Sequence, residues 1–372
     1  MPYGPAVPVA LAAPLVLCAL PVGAADEGGV APTEVEFRNG DVTLAGSLVL
    51  APGDGPHPAI VFLHGSGPMT REGALAYAER YAALGYAGLA YDKRGTGDSG
   101  GSWTSASLVD LARDAVAAIE YLQERPEIDG ERIGFWGVSQ AGWVATQATA
   151  LTDDVAFMVI ISGGGVTPYE SEIFSYRTAF EHAGLAPQDR QAGLAVIDRY
   201  FHYLGTGEGR DEVEAAIEAA RDAVWFPYAR LDRIFPSSEE GRRLWSWVAN
   251  WDPRPLMEKM TFPVLLLFGE KDTQTPAALS VDRWRQSLEA AGNRCFEIEV
   301  FPEAGHGIRL GAHGSRGERP PFADGYHETM ERWLAARLAD PAGVSAACGG
   351  RNVGDRECRE CEGRPAVADQ DH

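Results

Sequence analysis

Basic residues are scarce in this 372-residue sequence, in which 32 Lys and Arg stand against 53 Asp and Glu for a formal net charge of −21. A surface this acidic repels phosphate groups, which argues against nucleic acid or an anionic membrane as a partner.

Cysteine is also scarce, with five residues. Cys348, Cys358 and Cys361 lack the fourth ligand and tight spacing of a structural zinc site, so we expect a disulfide within this segment and no metal. Cys295 lies beside a predicted strand and is expected to be buried.

Long uninterrupted hydrophobic runs are absent as well. Pro8, Pro14 and Pro21 interrupt the apolar stretch 6–25, which argues against a membrane-spanning helix. The stretch ends in small residues suited to signal-peptidase cleavage, although no Lys or Arg precedes it. We therefore predict a signal peptide over residues 1–25, no stable membrane insertion, and export to the periplasm or the medium.

The sequence does contain a regular alternation of strand and helix patterns. Two strand patterns flank a turn at residues 39–41, and Ser107 is placed as a helix N-cap. The alternation predicts an α/β fold with a mostly parallel sheet of about eight strands and helices on both faces. The later strand patterns are 58–63, 87–91, 132–136, 157–161, 262–268 and 296–301, and the helical patterns between and after them are 73–84, 107–123, 141–151 and 326–338.

A helical cap is predicted within this domain, at about residues 167–260, where we find helical patterns and no convincing strand. The domain as a whole is predicted over residues 34–340, with the cap above the carboxyl edge of the sheet. The many aromatic residues of the cap are expected mainly to pack the cap itself, with a few facing the site. Residues 341–372 lack periodicity and are predicted to be a disordered, cysteine-containing tail. The cap helices are predicted at 171–182, 189–203, 211–224 and 239–247.

Ser139 is the candidate nucleophile. The strand pattern at 132–136 leads directly into Gly137-Val138-Ser139, and small residues open the helix that follows. This context is typical of a nucleophile elbow, a sharp turn that lifts a serine hydroxyl out of the sheet. Ala141 stands where such elbows usually carry a glycine, and we expect the turn to accommodate its methyl group.

A serine hydroxyl needs a base and an orienting acid to act as a nucleophile. Asp272 follows a predicted strand and is the candidate acid, with Glu270 as its rival. His306 lies in a glycine-flanked loop after the last predicted strand and is the candidate base. The other histidines lack this placement, and His64 is expected to be structural.

An oxyanion hole needs two preorganised N–H donors. We assign them to the backbone of Gln140, directly after the nucleophile, and of Ser66 in the glycine-rich loop 64–68. A second glycine-rich loop, 92–101, lacks the Gly-Lys-Ser/Thr ending of a phosphate loop, so nucleotide binding is not expected. Within this loop, Arg94 and Asp98 are predicted to form a structural ion pair or loop clamp.

Together these motifs make the chain resemble the α/β-hydrolase superfamily over roughly residues 35–338. The segments 64–68, 92–101, 137–142 and 269–272 look like a bacterial esterase-like branch, related to the dienelactone-hydrolase and prolyl-oligopeptidase catalytic domains. The resemblance implies ester cleavage as the usual activity, with no cofactor and no metal. It also implies an export signal in many members.

The leading hypothesis is a serine hydrolase that cleaves a small-molecule carboxylic ester through an acyl-enzyme, using Ser139, His306 and Asp272. One alternative is a serine peptidase or amidase acting on short peptides, because the same machinery cleaves both bonds. The other is a non-catalytic binding scaffold, against which the presence of all three groups argues.

Overall fold

One mixed sheet of eight strands forms the centre of the protein in the computed structural model, which describes residues 31–229, 231–311 and 320–339. The strands are β1 (Thr33–Asn39), β2 (Val42–Val49), β3 (His57–Leu63), β4 (Ala87–Tyr91), β5 (Ile128–Val138), β6 (Phe157–Ile161), β7 (Val264–Gly269) and β8 (Phe296–Phe301). Their order across the sheet is β1-β2-β4-β3-β5-β6-β7-β8. The β1–β2 and β2–β4 pairs are antiparallel and all later pairs are parallel. The predicted fold class, a mostly parallel sheet of about eight strands, is confirmed.

Helices cover both faces of this sheet and form the cap. They are α1 (Glu72–Ala82), α2 (Leu108–Gln123), α3 (Ala141–Ala148), α4 (Pro168–His182), α5 (Pro187–Thr206), α6 (Arg210–Ala219), α7 (Phe226–Ala229), α8 (Leu231–Ile234), α9 (Glu239–Trp245), α10 (Trp247–Asn250), α11 (Arg254–Met257), α12 (Ala277–Ala290) and α13 (Tyr326–Ala339). A 3₁₀ helix, Trp103–Ser105, precedes α2. Among the described helices, none combines the length and apolar character needed to cross a membrane.

Alternate residues of β3 face opposite sides of the sheet, and both sides are buried. Val61 and Leu63 pack in the core that includes α2 and α3, whereas Ile60 and Phe62 pack in the core that includes α1 and α13. Because neither face of a central parallel strand meets water, its sequence is a continuous apolar run instead of an alternation.

Reciprocal side-chain caps define where two helices begin. At α2, the Asp110 backbone N–H donates to the Ser107 hydroxyl at 3.2 Å, and the Ser107 N–H donates to the Asp110 carboxylate at 2.8 Å. The predicted Ser107 N-cap is confirmed. Thr167 and Glu170 form the same box at the start of α4, so the entry into the cap is set by local sequence.

The cap, α4 to α11, has an aromatic core of its own, as expected. Two predicted cap helices differ from the structure. The helix predicted at 211–224 ends at Ala219, because Trp225 and Phe226 turn into the cap core. The helix predicted at 239–247 is divided at Ser246 into α9 and α10. The buried aromatic residues of the cap are Tyr176, Phe180, Tyr200, Phe201, Tyr203, Trp225, Phe226 and Trp245.

The predicted ion pair between Arg94 and Asp98 is wrong. Arg94 forms a two-pronged pair with Asp114 on α2, with both N–O distances at 2.6 Å. Asp98 instead accepts from Arg71 at 3.0 Å. The loop folds over α2, so a residue twenty positions away in sequence is closer in space than one four positions away.

Cys295 is half-buried, contrary to the prediction of burial, because it precedes β8 at the exposed edge of the sheet. It takes part in a disulfide bond. The predicted signal peptide 1–25 and the predicted disordered tail 341–372, with its disulfide, lie outside the described residues.

Candidate active site

Ser139 occupies a strained turn between β5 and α3. Its φ angle is 61°, in the left-handed region that residues other than glycine rarely adopt. The Ser139 N–H donates to the Ile161 carbonyl at 2.9 Å, and the Ser139 carbonyl accepts from the Gly142 N–H at 2.9 Å. Strain of this kind persists where the surroundings hold it and is concentrated at functional sites.

Glycines around Ser139 allow this turn because their backbones nearly touch their neighbours. A Cβ at Gly163 would lie 2.3 Å from the Ser139 carbonyl oxygen. A Cβ at Gly137 would lie 2.3 Å from the Ala141 Cβ. The missing side chain of Gly137 therefore provides the space for the Ala141 methyl group, which explains how the turn tolerates alanine at a position where glycine is usual.

Asp272 and His306 form a buried pair. Asp272 follows β7, His306 follows β8, and the His306 Nδ1 to Asp272 Oδ2 distance is 2.8 Å. The other carboxylate oxygen of Asp272 accepts from the backbone N–H groups of Gln274 at 2.8 Å and Thr275 at 2.9 Å. With both oxygens engaged and both side chains at or below 5% exposure, the orientation of the imidazole ring is set by the fold.

Glu270, the rival acid, lies at the surface. Its carboxylate pairs with the Lys271 ammonium at 3.3 Å, and its side chain is half exposed. Asp272, and not Glu270, is therefore the carboxylate that the fold brings to His306.

The second ring nitrogen of His306, Nε2, is buried and has no hydrogen-bond partner among the described residues. A buried polar atom without a partner costs free energy, and it is the atom through which a histidine base accepts a proton. Contacts of this kind in unliganded enzymes commonly tighten only when substrate is bound.

Ser162, which the sequence analysis missed, connects the loops that carry these groups. It follows β6, is fully buried and has a φ angle of 48°. Its hydroxyl accepts from the Gly307 N–H at 3.3 Å, next to His306, and its carbonyl accepts from the Thr275 hydroxyl at 3.2 Å. The only signal in the sequence was a serine before three glycines at a strand end.

Ser66 and Gln140, the predicted oxyanion residues, line neighbouring cavities. The first cavity is lined by Ser66 and Ser139 together with apolar side chains that include Met69 and Trp136. The second cavity is lined by Ser66 and Gln140 on one side and by the cap on the other. Ser66 belongs to both, so the two cavities flank the loop 64–68. The aromatic residues that face the second cavity are Trp103, Trp143, Trp245 and Trp247.

Two buried ionisable residues on the second cavity were also missed. Burial lowers the pKa of Lys93 to about 7, although the charge of Asp114 opposes this. Burial raises the pKa of Glu172, on α4, to about 8. The sequence does not indicate that these two side chains are buried, because lysine and glutamate are ordinarily exposed.

His64 is structural, in agreement with expectation. Its Nε2 contacts the Tyr91 carbonyl oxygen at 2.6 Å. Burial, with the positive charge of Lys93, lowers its pKa to about 3, so the ring is neutral and its nitrogen is engaged. In the described residues, no group of three or more His, Cys, Asp or Glu side chains is arranged to hold a metal ion.

The fold and this constellation of residues define a hydrolase of the serine α/β-hydrolase type. A family model described as X-Pro dipeptidyl-peptidase (S15 family) matches residues 9–290. The chain belongs to the S15 family. The matched segment includes Ser139 and Asp272 and ends before His306.

The chain is also similar to individual hydrolases and related proteins. The chain is 37% identical over 259 residues to the quorum-quenching protein AidA of Acinetobacter baumannii, covering 66% of this chain and 81% of AidA. It is 27% identical over 250 residues to a thiohydrolase of Eupenicillium brefeldianum, covering 65% and 78%. The structure of the Pyrococcus furiosus esterase Pf2001 aligns with a TM-score of 0.53 at 17% identity, covering 83% and 91%. At that identity the structural likeness shows the fold alone.

Proposed function

We propose that this hydrolase cleaves carboxylic esters through an acyl-enzyme formed on Ser139. The observation that carries the proposal is the buried Asp272–His306 pair at 2.8 Å, whose Nε2 is left without a partner, combined with a serine held at a strained elbow. Serine, histidine and aspartate are the three groups of a catalytic triad, and here they follow in the order Ser, Asp, His along the chain.

In the proposed reaction, the Ser139 hydroxyl oxygen attacks the ester carbonyl carbon while its proton moves to His306 Nε2. Asp272 stabilises the resulting imidazolium through Nδ1. The backbone N–H groups of Gln140 and Ser66 hold the oxyanion. Collapse of this intermediate expels the alcohol, which takes the proton from His306. Water then attacks the acyl-enzyme by the same route and releases the acid.

The cavities support a substrate that is mainly apolar near the ester. Both are bounded largely by aromatic and aliphatic side chains, and they lie on either side of Ser66. Such an arrangement suits an acyl group on one side of the reacting carbonyl and an alcohol group on the other.

A peptidase function is the second candidate, and Glu172 is the observation that favours it. The ammonium group of a short peptide would favour the ionised form of this carboxyl group and could also lie against the tryptophan rings of the second cavity. The family takes its name from a dipeptidyl-peptidase. Amide cleavage would use the same Ser139, His306 and Asp272.

Ser139→Ala tests the shared mechanism. We expect kcat on p-nitrophenyl esters to fall at least ~10³-fold because the covalent route is lost. Ser237→Ala, which removes the same hydroxyl from an exposed position, is the matched control and should leave kcat unchanged. A fluorophosphonate probe should label the wild type at Ser139, as mapped by peptide mass spectrometry.

The outcomes separate the candidates. Turnover of esters with label on Ser139 supports the esterase, whereas label on Ser139 with turnover of X-Pro-naphthylamides alone supports the peptidase. Retention of activity by Ser139→Ala contradicts both. Absence of label and of turnover favours a binding scaffold.

A further inference from the structure

Lys93 lies in the loop after β4, and its ammonium group is buried at the centre of the candidate active site. The residue is 3% exposed. Its Nζ donates to the Gly65 carbonyl at 2.9 Å, to the Gly67 carbonyl at 3.2 Å and to the Gln140 side-chain carbonyl at 2.9 Å. The three donors of one ammonium group thus reach two different loops, the one after β3 and the one after β5.

The bond to Gly65 bears directly on Ser66. The Gly65 carbonyl and the Ser66 N–H belong to one peptide unit, which is planar, and in a trans unit the two groups point in opposite directions. Holding the carbonyl oxygen toward Lys93 therefore aims the Ser66 N–H away from Lys93. The bond to Gly67 holds the carbonyl of the Gly67–Pro68 peptide unit, so the loop is held by Lys93 both before and after Ser66.

The bond to Gln140 holds the second donor residue. Gln140 is 5% exposed and precedes α3, and its backbone N–H is the one assigned to the oxyanion. The two loops also lie against each other, since a Cβ at Gly65 would be 3.4 Å from the Val138 carbonyl oxygen and 3.9 Å from the Ser139 Cβ. One side chain therefore connects both proposed donors next to the nucleophile.

On the basis of the acyl-enzyme function proposed above, we propose that Lys93 is a positioning residue that joins the two N–H donors of the oxyanion hole into one rigid unit. Lysine suits this task because its ammonium group offers three donors and no acceptor to three converging oxygens. Its positive charge also polarises the Gly65–Ser66 peptide unit, which strengthens the N–H as a donor. Burial lowers the pKa of Lys93 to about 7, so the three-donor arrangement and the charge belong to the protonated form of this side chain.

Lys93→Met tests this role because it keeps the length of the side chain and removes all three donors. We expect kcat on p-nitrophenyl acetate to fall ~10²-fold, near the loss seen when one oxyanion donor is removed. The KM should change less than about threefold, since the donors act mainly on the transition state. Lys93→Arg keeps the charge and the donors, so its kcat should lie between those of the wild type and Lys93→Met. Lys259→Met makes the same change at an exposed position and is the control.

The results distinguish this role from others. Near-UV circular dichroism establishes that each variant is folded, and Lys93→Leu, which also lacks a donor, replaces Lys93→Met if the latter is not folded. A wild-type kcat in the variant that lacks the donors would overturn the proposal. A raised KM with an unchanged kcat in that variant would overturn it as well. An equal loss in Lys93→Arg and Lys93→Met would also overturn it, because donor placement would then be irrelevant. Activity that survives in Ser139→Ala would refute the proposed function itself, independently of Lys93.

Discussion

Glu172→Gln should make the folded protein more stable at alkaline pH and leave its stability unchanged at acidic pH. Glu172 is on α4, is 9% exposed, and faces the second cavity with Trp103 and Trp245. Burial raises the pKa of its carboxyl group from 4.5 to about 8. The folded protein therefore keeps this proton at neutral pH, whereas the unfolded chain releases it.

The size of the effect follows from linkage between proton binding and folding. Because the folded state binds the proton more tightly, the contribution of Glu172 to stability is complete below pH 4.5 and is lost as the pH rises through about 8. Each tenfold difference in proton affinity is worth about 1.4 kcal/mol, so the full loss is on the order of 5 kcal/mol. Glutamine resembles the protonated carboxyl in shape and does not titrate, so the variant avoids this loss.

Urea unfolding at a series of pH values measures this difference. The free energy of unfolding of Glu172→Gln minus that of the wild type should be constant well below pH 4.5 and should grow by several kcal/mol toward pH 8. Groups that titrate in both proteins cancel in the subtraction. Glu240→Gln, at an exposed position of α9, is the control and should show no such growth.

A difference that stays constant across this pH range would refute the reasoning, because it would show that Glu172 ionises alike in the folded and unfolded states. A variant less stable than the wild type at pH 8 would refute it as well. In that case, the carboxylate would be charged and favourably paired in the folded protein.

Two further predictions concern carboxylates whose partners the structure identifies. Asp272→Asn should lower kcat by ~10⁴-fold by disturbing the His306 tautomer, whereas Glu270→Gln should leave kcat within about twofold. Steady-state ester hydrolysis compares the two variants. A larger loss in Glu270→Gln than in Asp272→Asn would restore Glu270 as the acid. Arg94→Met should lower the free energy of unfolding in urea by about 3–5 kcal/mol, because it leaves the 2%-exposed Asp114 without its cation; a loss below 1 kcal/mol would contradict a buried pair.

Much of the fold and the candidate triad follows from local sequence. The apolar runs of β3, β4 and β6 predict buried parallel strands because such strands are covered on both faces. Gly137 and Ser139 predict the nucleophile elbow because this turn requires small residues beside the nucleophile and places the serine at its apex. Asp272 and His306 could be chosen because parallel strands present their carboxyl ends at one edge of the sheet.

The hydrogen-bond and ion-pair partners that support the site could not be predicted from local sequence. The partner of Arg94 is Asp114 and not Asp98, and Lys93 reaches carbonyl groups of Gly65 and Gly67 on another loop. Backbone carbonyls occur at every residue, so no sequence pattern marks the ones that a lysine will meet. The same holds for Ser162, which is important only because three loops converge on it.

Glu172 shows most clearly which properties follow from local sequence and which require the tertiary structure. Its helix starts where Thr167 and Glu170 predict a capping box, so its secondary structure is local information. Its raised pKa is not, because it depends on tryptophans from the 3₁₀ helix and from α9 that exclude water from the carboxyl group. Periodicity, turns and catalytic order are properties of neighbouring residues, whereas desolvation and hydrogen-bond partnership arise only when distant segments pack together.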